Sequence, residues 1–154
     1  MQNSPRLCLS LLRALLVPYL QPVVTMPGGA RILVLEDAEL VRKTLILVLE
    51  RHGYLVRGFA TAKEALEDVP EFLPQVLICD INLPDMNGIQ AALAFGQTAP
   101  ECRVLLLSGD TSSGELLADA ASRGYHFDVL PKPTAPSELL AHIEQLIGGG
   151  ATED

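Results

Sequence analysis

From residue 31 onward the chain alternates between two hydrophobic rhythms. The runs RILVLE (31–36) and QVLICD (75–80) are nearly unbroken apolar stretches, the pattern of strands buried on both faces of a sheet. YLVRGFA (54–60), RVLLLSG (103–109) and FDVL (127–130) also read as strands. Between them, AELVRKTLILVLERH (38–52) has helical periodicity, with Leu40, Val41, Thr44, Leu45, Leu47, Val48 and Leu49 on one arc. Gly53 follows where a helix C-terminus favours a left-handed residue. AKEALEDV (62–69), residues 87–97, residues 113–123 and PSELLAHIEQLI (136–147, closed by Gly148) complete the helices. Five strands alternating with five helices over short loops predict one α/β domain at residues 30–148. Its parallel sheet is doubly wound, with helices on both faces in three α/β/α layers. Residues 149–154 read as a flexible tail.

The first 29 residues follow a different rhythm. RLCLSLLRALLVPYLQPVVTMPGGA is Leu-rich and carries no acid. The signal-peptide reading is disfavoured, because Arg13 interrupts the apolar region after Leu7–Leu12 and no convincing small-x-small cleavage site follows. As a helix it places Arg6, Ser10 and Arg13 on one narrow face, leaving residues 6–20 a broad apolar face for a membrane surface or a partner. The plainer expectation is a poorly ordered extension, or a true start at Met26.

Composition narrows the class. Of 154 residues, 49% are hydrophobic and 19% charged, and mean hydropathy is +0.29. That is too apolar for disorder, while no apolar run is long enough to span a bilayer. The formal net charge is −8, concentrated in residues 31–147, where 17 acids face 9 Lys and Arg. Such a surface repels phosphate backbones, so direct nucleic-acid binding is not expected, and acidity suits a metal site or a protein partner better. Cys8, Cys79 and Cys102 form no paired spacing, and Cys79 sits within an apolar run as a small hydrophobe, which points to a reducing, cytoplasmic setting. His52, His126 and His142 lack metal-ligand spacing and read as surface residues.

In a doubly wound sheet, ligands bind beyond the carboxyl ends of the strands. The first polar groups there are Glu36 and Asp37, Asp80, Ser108, and Lys132 before Pro133. Carboxylates crowded on one rim stay ionised only with a cation among them. A hard ion with oxygen ligands fits, and the absence of His or Cys at these ends disfavours zinc. Lys132 and Ser108 would add a positive charge and a hydroxyl donor, together suited to an anion with several oxygens, such as a phosphoryl group on Asp80.

The segments ILVLEDAELVRKTL, GYLVRGFATAKEAL, VLICDINLPDMNG, VLLLSGD and FDVLPKP, in this order over residues 30–148, resemble the successive signatures of the response-regulator receiver domain of two-component signalling. The resemblance implies a five-stranded flavodoxin-like fold. It also implies Mg²⁺-dependent transfer of a phosphoryl group from a histidine kinase or histidine phosphotransfer protein to Asp80. By the same resemblance Glu36, Asp37, Asp80 and the main-chain carbonyl of Asn82 bind the metal, Ser108 is the switch hydroxyl and Lys132 the conserved-type lysine. Pro84 and Gly88 then set the turn after the acceptor, and Lys132–Pro133 is a candidate cis peptide. Each residue also has a duller reading, such as helix capping by Asp37 or a solvated Lys132, but their coincidence on one rim favours the site.

Two positions depart from the family. Val129 stands three residues before Lys132, where receivers usually carry a Phe or Tyr that changes rotamer, and Thr134 replaces a common aromatic. Tyr125 and Phe127 lie nearby, and output is expected to rely on the loop after Ser108. Asp110 and Asn82 are expected to flank the acceptor and tune the lifetime of its acyl phosphate. Ile46, on the otherwise polar side of the first helix with Arg42, Lys43 and Glu50, is a candidate contact for the phosphodonor. The expected function is a self-catalysed phosphoacceptor, not a turnover enzyme, that switches binding to a downstream effector protein. The rivals are an aspartyl-nucleophile phosphohydrolase, against which Asn82 replaces the general acid of D-x-D, and a pseudo-receiver that never takes phosphate.

Overall fold

A computed structural model of the chain describes residues 29–109 and 113–148. The expected readings of residues 1–28, of Asp110 and of the tail lie outside the described residues. The elements run β1 (Arg31–Leu35), α1 (Glu39–Arg51), β2 (Leu55–Phe59), α2 (Ala62–Phe72), β3 (Val76–Asp80), α3 (Gly88–Thr98), β4 (Arg103–Ser108), α4 (Ser113–Ser122), β5 (Asp128–Pro131) and α5 (Pro136–Gly148). All five strands are parallel, in the order β2-β1-β3-β4-β5.

Strand alternation explains the three layers. Leu33, Leu35, Leu77, Cys79 and Leu106 point to one face and are covered by α2, α3 and α4 through Ala65, Val69, Phe72, Ile89, Phe95 and Ala120. Ile32, Val34, Ile78, Leu105, Leu107 and Leu130 point to the other face and meet Leu49 of α1 with Leu139 and Ile143 of α5. Burial on both faces is why these strands read as continuous apolar runs. Chain order reverses between β1 and β3, so the crevice beyond their carboxyl ends is the topological switch point.

Gly53 adopts φ +87°. Its N–H reaches the carbonyl of Glu50 and that of Tyr54 reaches Leu49, so the helix closes as expected. The expected end of α2 at Val69 is corrected: the helix runs through Pro70 to Phe72. Phe72 is buried, and the Arg57 guanidinium lies 4.7 Å from its ring centroid, which anchors the last turn beyond the exposed proline.

The apolar arc assigned to α1 is also corrected. Leu40 (80% exposed), Leu47 (51%) and Val41 (40%) face outward, whereas Leu45 and Ile46 join Leu49 against the sheet. Ile46 is therefore not on a polar outer face. A Cβ placed on Gly58 of β2 would lie 2.6 Å from its Cδ1, and the proposed donor contact at Ile46 is withdrawn. Apolar residues occupy both sides of this helix, so periodicity alone does not decide which side turns inward. None of the helices among the described residues is long and apolar enough to cross a membrane.

Candidate functional site

The sheet delivers the sequence-selected residues to one rim. β1 ends at Leu35 and releases Glu36, buried, and Asp37, exposed; β3 ends in Asp80, which is 7% exposed. Oxygens of the three carboxylates lie within 4.8 Å of one another. Lys132 follows β5 directly. Its Nζ donates to Glu36 Oε2 at 2.5 Å and to Asp80 Oδ2 at 2.8 Å, and its N–H donates to the Ser108 carbonyl at 2.8 Å. The Lys132–Pro133 peptide is cis, as expected. Ser108 closes β4 one residue past Leu107, the register partner of Asp80.

Every oxygen of the two buried carboxylates has a donor. Glu36 Oε1 accepts from the Ala38 N–H at 3.1 Å, and Asp80 Oδ1 from the Asn82 N–H at 3.0 Å. Burial pushes the Glu36 carboxyl above its ordinary value, outweighing the hydrogen bonds from Lys132 and Ala38 that pull it down. For Lys132, burial works against the ammonium, but the hydrogen bonds to Asp80 and Glu36 prevail and hold its pKa above the ordinary value. Lys132 is therefore a fixed cation. One ammonium against three carboxylates leaves excess negative charge, and all the donors are oxygens, so the residues present fit a hard divalent ion.

The loop after Asp80 is held at several points. Asn82 bridges to Asn87. Asn87 caps α3 by accepting from the Gln90 N–H at 2.8 Å, while the Gln90 side chain accepts from the Asn87 N–H. That capping box was legible in the N-x-x-Q spacing, whereas a second anchor had no signal in local sequence. Asp85 accepts from the N–H groups of Ala62 at 3.2 Å and Lys63 at 3.1 Å, at the start of α2. Thr61 caps the same helix by accepting from the Glu64 N–H. Slight burial pushes the Asp85 carboxyl up, but the N–H groups of Ala62, Lys63, Met86 and its own residue outweigh it and hold the pKa below the ordinary value. A depressed folded pKa stabilises the fold above the unfolded pKa, about 3.9, and the contribution is lost as pH falls through the folded value. Asp85→Asn is accordingly expected to cost ~0.5–1 kcal/mol at neutral pH in chemical denaturation, the low end of capping effects because the carboxylate is exposed and screened. The difference from the parent should shrink as pH is taken below the carboxyl range.

Of the remaining expectations, Val129 and Phe127 are half-buried against the α2–α4 face, and Tyr125 is exposed. Cys79 is buried beside the acceptor. Burial, with Asp80 and Glu36 adding to it, raises its thiol pKa far above the ordinary range, and its Sγ–H points to the Asp80 carbonyl at 3.2 Å. His52 and His126 are exposed, and His142 is half-buried.

Comparison with known proteins agrees with this geometry. The family model of the response regulator receiver domain matches residues 32–144. The chain is 33% identical over 128 residues to the response regulator MprA of Mycobacterium ulcerans, an alignment covering 82% of this chain and 53% of that protein, so the chain spans about half the length of that relative. It is 29% identical over 119 residues to the chemotaxis protein CheY of Thermotoga maritima, covering 77% of this chain and 98% of that protein. The crystal structure of a CheY-like response regulator receiver domain protein from Methanospirillum hungatei superposes with a TM-score of 0.70 at 27% identity, over 78% of this chain and 95% of that one. With its sheet order and its sequence in agreement, the chain belongs to the response-regulator receiver domain family.

Proposed function

We propose that residues 30–148 act as a phosphoacceptor in which Asp80 takes a phosphoryl group from a phosphohistidine donor, on a histidine kinase or a histidine phosphotransfer protein. The observation that carries this reading is the contact of the Lys132 ammonium with Asp80 and Glu36, beside a third carboxylate on the same rim. An Asp80 carboxylate oxygen forms the new P–O bond as the P–N bond of the donor breaks, returning the imidazole. Lys132 neutralises a phosphoryl oxygen, and the Ser108 hydroxyl donates to another. Glu36, Asp37, Asp80 and the main-chain carbonyl of Asn82 would hold Mg²⁺, which when bound neutralises charge developing on the phosphoryl oxygens.

The acyl phosphate adds about two negative charges at the rim and shifts the affinity for a downstream effector protein by its differential contacts with the two states. In this reading the chain switches binding and does not turn over a substrate. Cytoplasmic residence is part of the same proposal, in keeping with the free thiols of Cys79 and Cys102.

The test is incubation of the purified chain with Mg²⁺ and acetyl phosphate, read by intact mass. One phosphoryl group per chain is expected, absent without Mg²⁺ and absent in Asp80→Asn. Sustained phosphate release without an adduct would instead point to a phosphohydrolase, and no adduct at all to a pseudo-receiver.

A further inference from the structure

Arg42 was assigned to the polar outer side of α1, but it turns inward and its guanidinium reaches the main chain of the acidic loop. Nη1 donates to the carbonyl of Glu36 at 2.8 Å and lies 3.4 Å from that of Asp37. On the other side of the same residue the Glu36 N–H donates to the Phe59 carbonyl at 3.1 Å. Glu36 is thus held on both sides along its main chain, through its N–H by β2 and through its carbonyl by one α1 side chain. The Arg42 stem reaches this position across Gly58 of β2, where an added Cβ would stand 3.1 Å from Arg42 Cγ and 3.3 Å from Cδ. A side chain at residue 58 would meet Ile46 Cδ1 first, at 2.6 Å, and would press on the track the arginine uses.

We infer that Arg42 is a positioning residue for the metal pair: by clamping the carbonyls of Glu36 and Asp37 over the slot left by Gly58, it sets the direction in which the two carboxylates enter the site. This rests on the reading of Glu36 and Asp37 as magnesium ligands. A guanidinium suits the role because one group carries several donors in a fixed plane and can serve two successive carbonyls. A lysine ammonium has donors too, but on a shorter stem and without the fixed plane that aims them at both carbonyls. Outer partners that orient metal ligands typically contribute about 10–100-fold in metal affinity.

The experiment is a Mg²⁺ titration of the full chain, followed by calorimetry and by the amide shifts of Glu36, Asp37 and Ala38, with no phosphodonor present. Arg42→Met keeps the stem and removes the donors, and it is expected to weaken Mg²⁺ binding about 10-fold, with Arg42→Lys recovering part of the loss. Gly58→Ala, which presses on Ile46 Cδ1 and on the arginine stem, should also weaken binding, and the part of that loss carried by Arg42 should be absent when the two substitutions are combined. A parent that binds Mg²⁺ with unchanged affinity in folded Arg42→Met overturns the inference and leaves the metal reading standing. A parent that takes up no Mg²⁺ sinks the metal reading, and the positioning role with it.

Discussion

Lys132→Met is expected to lower the stability of the metal-free chain by about 3 kcal/mol and to slow phosphoryl uptake from acetyl phosphate by ~100-fold or more. The cause is electrostatic. Glu36 and Asp80 are buried, and their ion pairs with Lys132 are short. Removing the ammonium leaves two like charges desolvated side by side, and methionine fills the space without a donor. The Glu36 carboxyl is already raised by burial, and without Lys132 it loses the hydrogen bond that pulls it down. The sign of the pH dependence follows. A carboxyl whose folded pKa lies above its unfolded one stabilises the fold below the unfolded value, and that contribution is lost as pH rises through the folded value. The deficit of the variant should therefore be small in acid, where Glu36 is protonated, and grow toward neutrality. Added Mg²⁺ should recover stability, because an ion that binds only the folded state stabilises it by mass action. Denaturant titrations at several pH values, with and without Mg²⁺, check each step. A variant as stable as the parent across that range would mean that Lys132 does not offset the buried charge.

The rim was legible in the sequence for a topological reason. A strand buried on both faces stays apolar until it leaves the sheet, so the first polar residue marks its carboxyl end, and parallel winding sends all those ends the same way. Asp80 and Lys132 are 52 residues apart, yet fold class alone predicts that they meet, and they do so at 2.8 Å. The orientation of α1 was not legible. Leu40, Val41 and Leu47 are as apolar as Leu45, Ile46 and Leu49, and the choice between the two sides rests on the fit of Ile46 and Arg42 over Gly58, a contact between separate elements. The contacts of Arg42 and Asp85 were not legible for the same reason. Their partners are main-chain groups of other segments, which carry no residue-type signal.

Gly88→Ala should be destabilising although alanine is the better helix former, and its effect should reverse sign at another glycine of the same helix. Gly88 opens α3, and its N–H donates to the Ile81 carbonyl at 2.7 Å, drawing the helix start onto the end of β3. An added Cβ would lie 2.4 Å from the Asp80 carbonyl oxygen, 2.7 Å from Ile81 Cα and 3.0 Å from the Asp80 carbonyl carbon. These are backbone atoms and have no rotamer to yield, so either α3 lifts away from the sheet or the Asp80–Ile81 peptide moves. Overpacking of this kind costs ~1–3 kcal/mol, more than the ~1 kcal/mol that helix propensity returns. At Gly96, inside α3 and exposed, nothing lies within 4 Å of an added Cβ, so Gly96→Ala should stabilise by ~0.5–1 kcal/mol. The two variants also separate stability from chemistry. Moving the Asp80 peptide turns its carboxylate away from Lys132, so Gly88→Ala should lose phosphoryl uptake even where it remains folded, while Gly96→Ala keeps it. Denaturation midpoints and adduct yields measured on the pair decide the matter: equal stability changes at the two sites would show that the α3 start does not press on the acceptor strand.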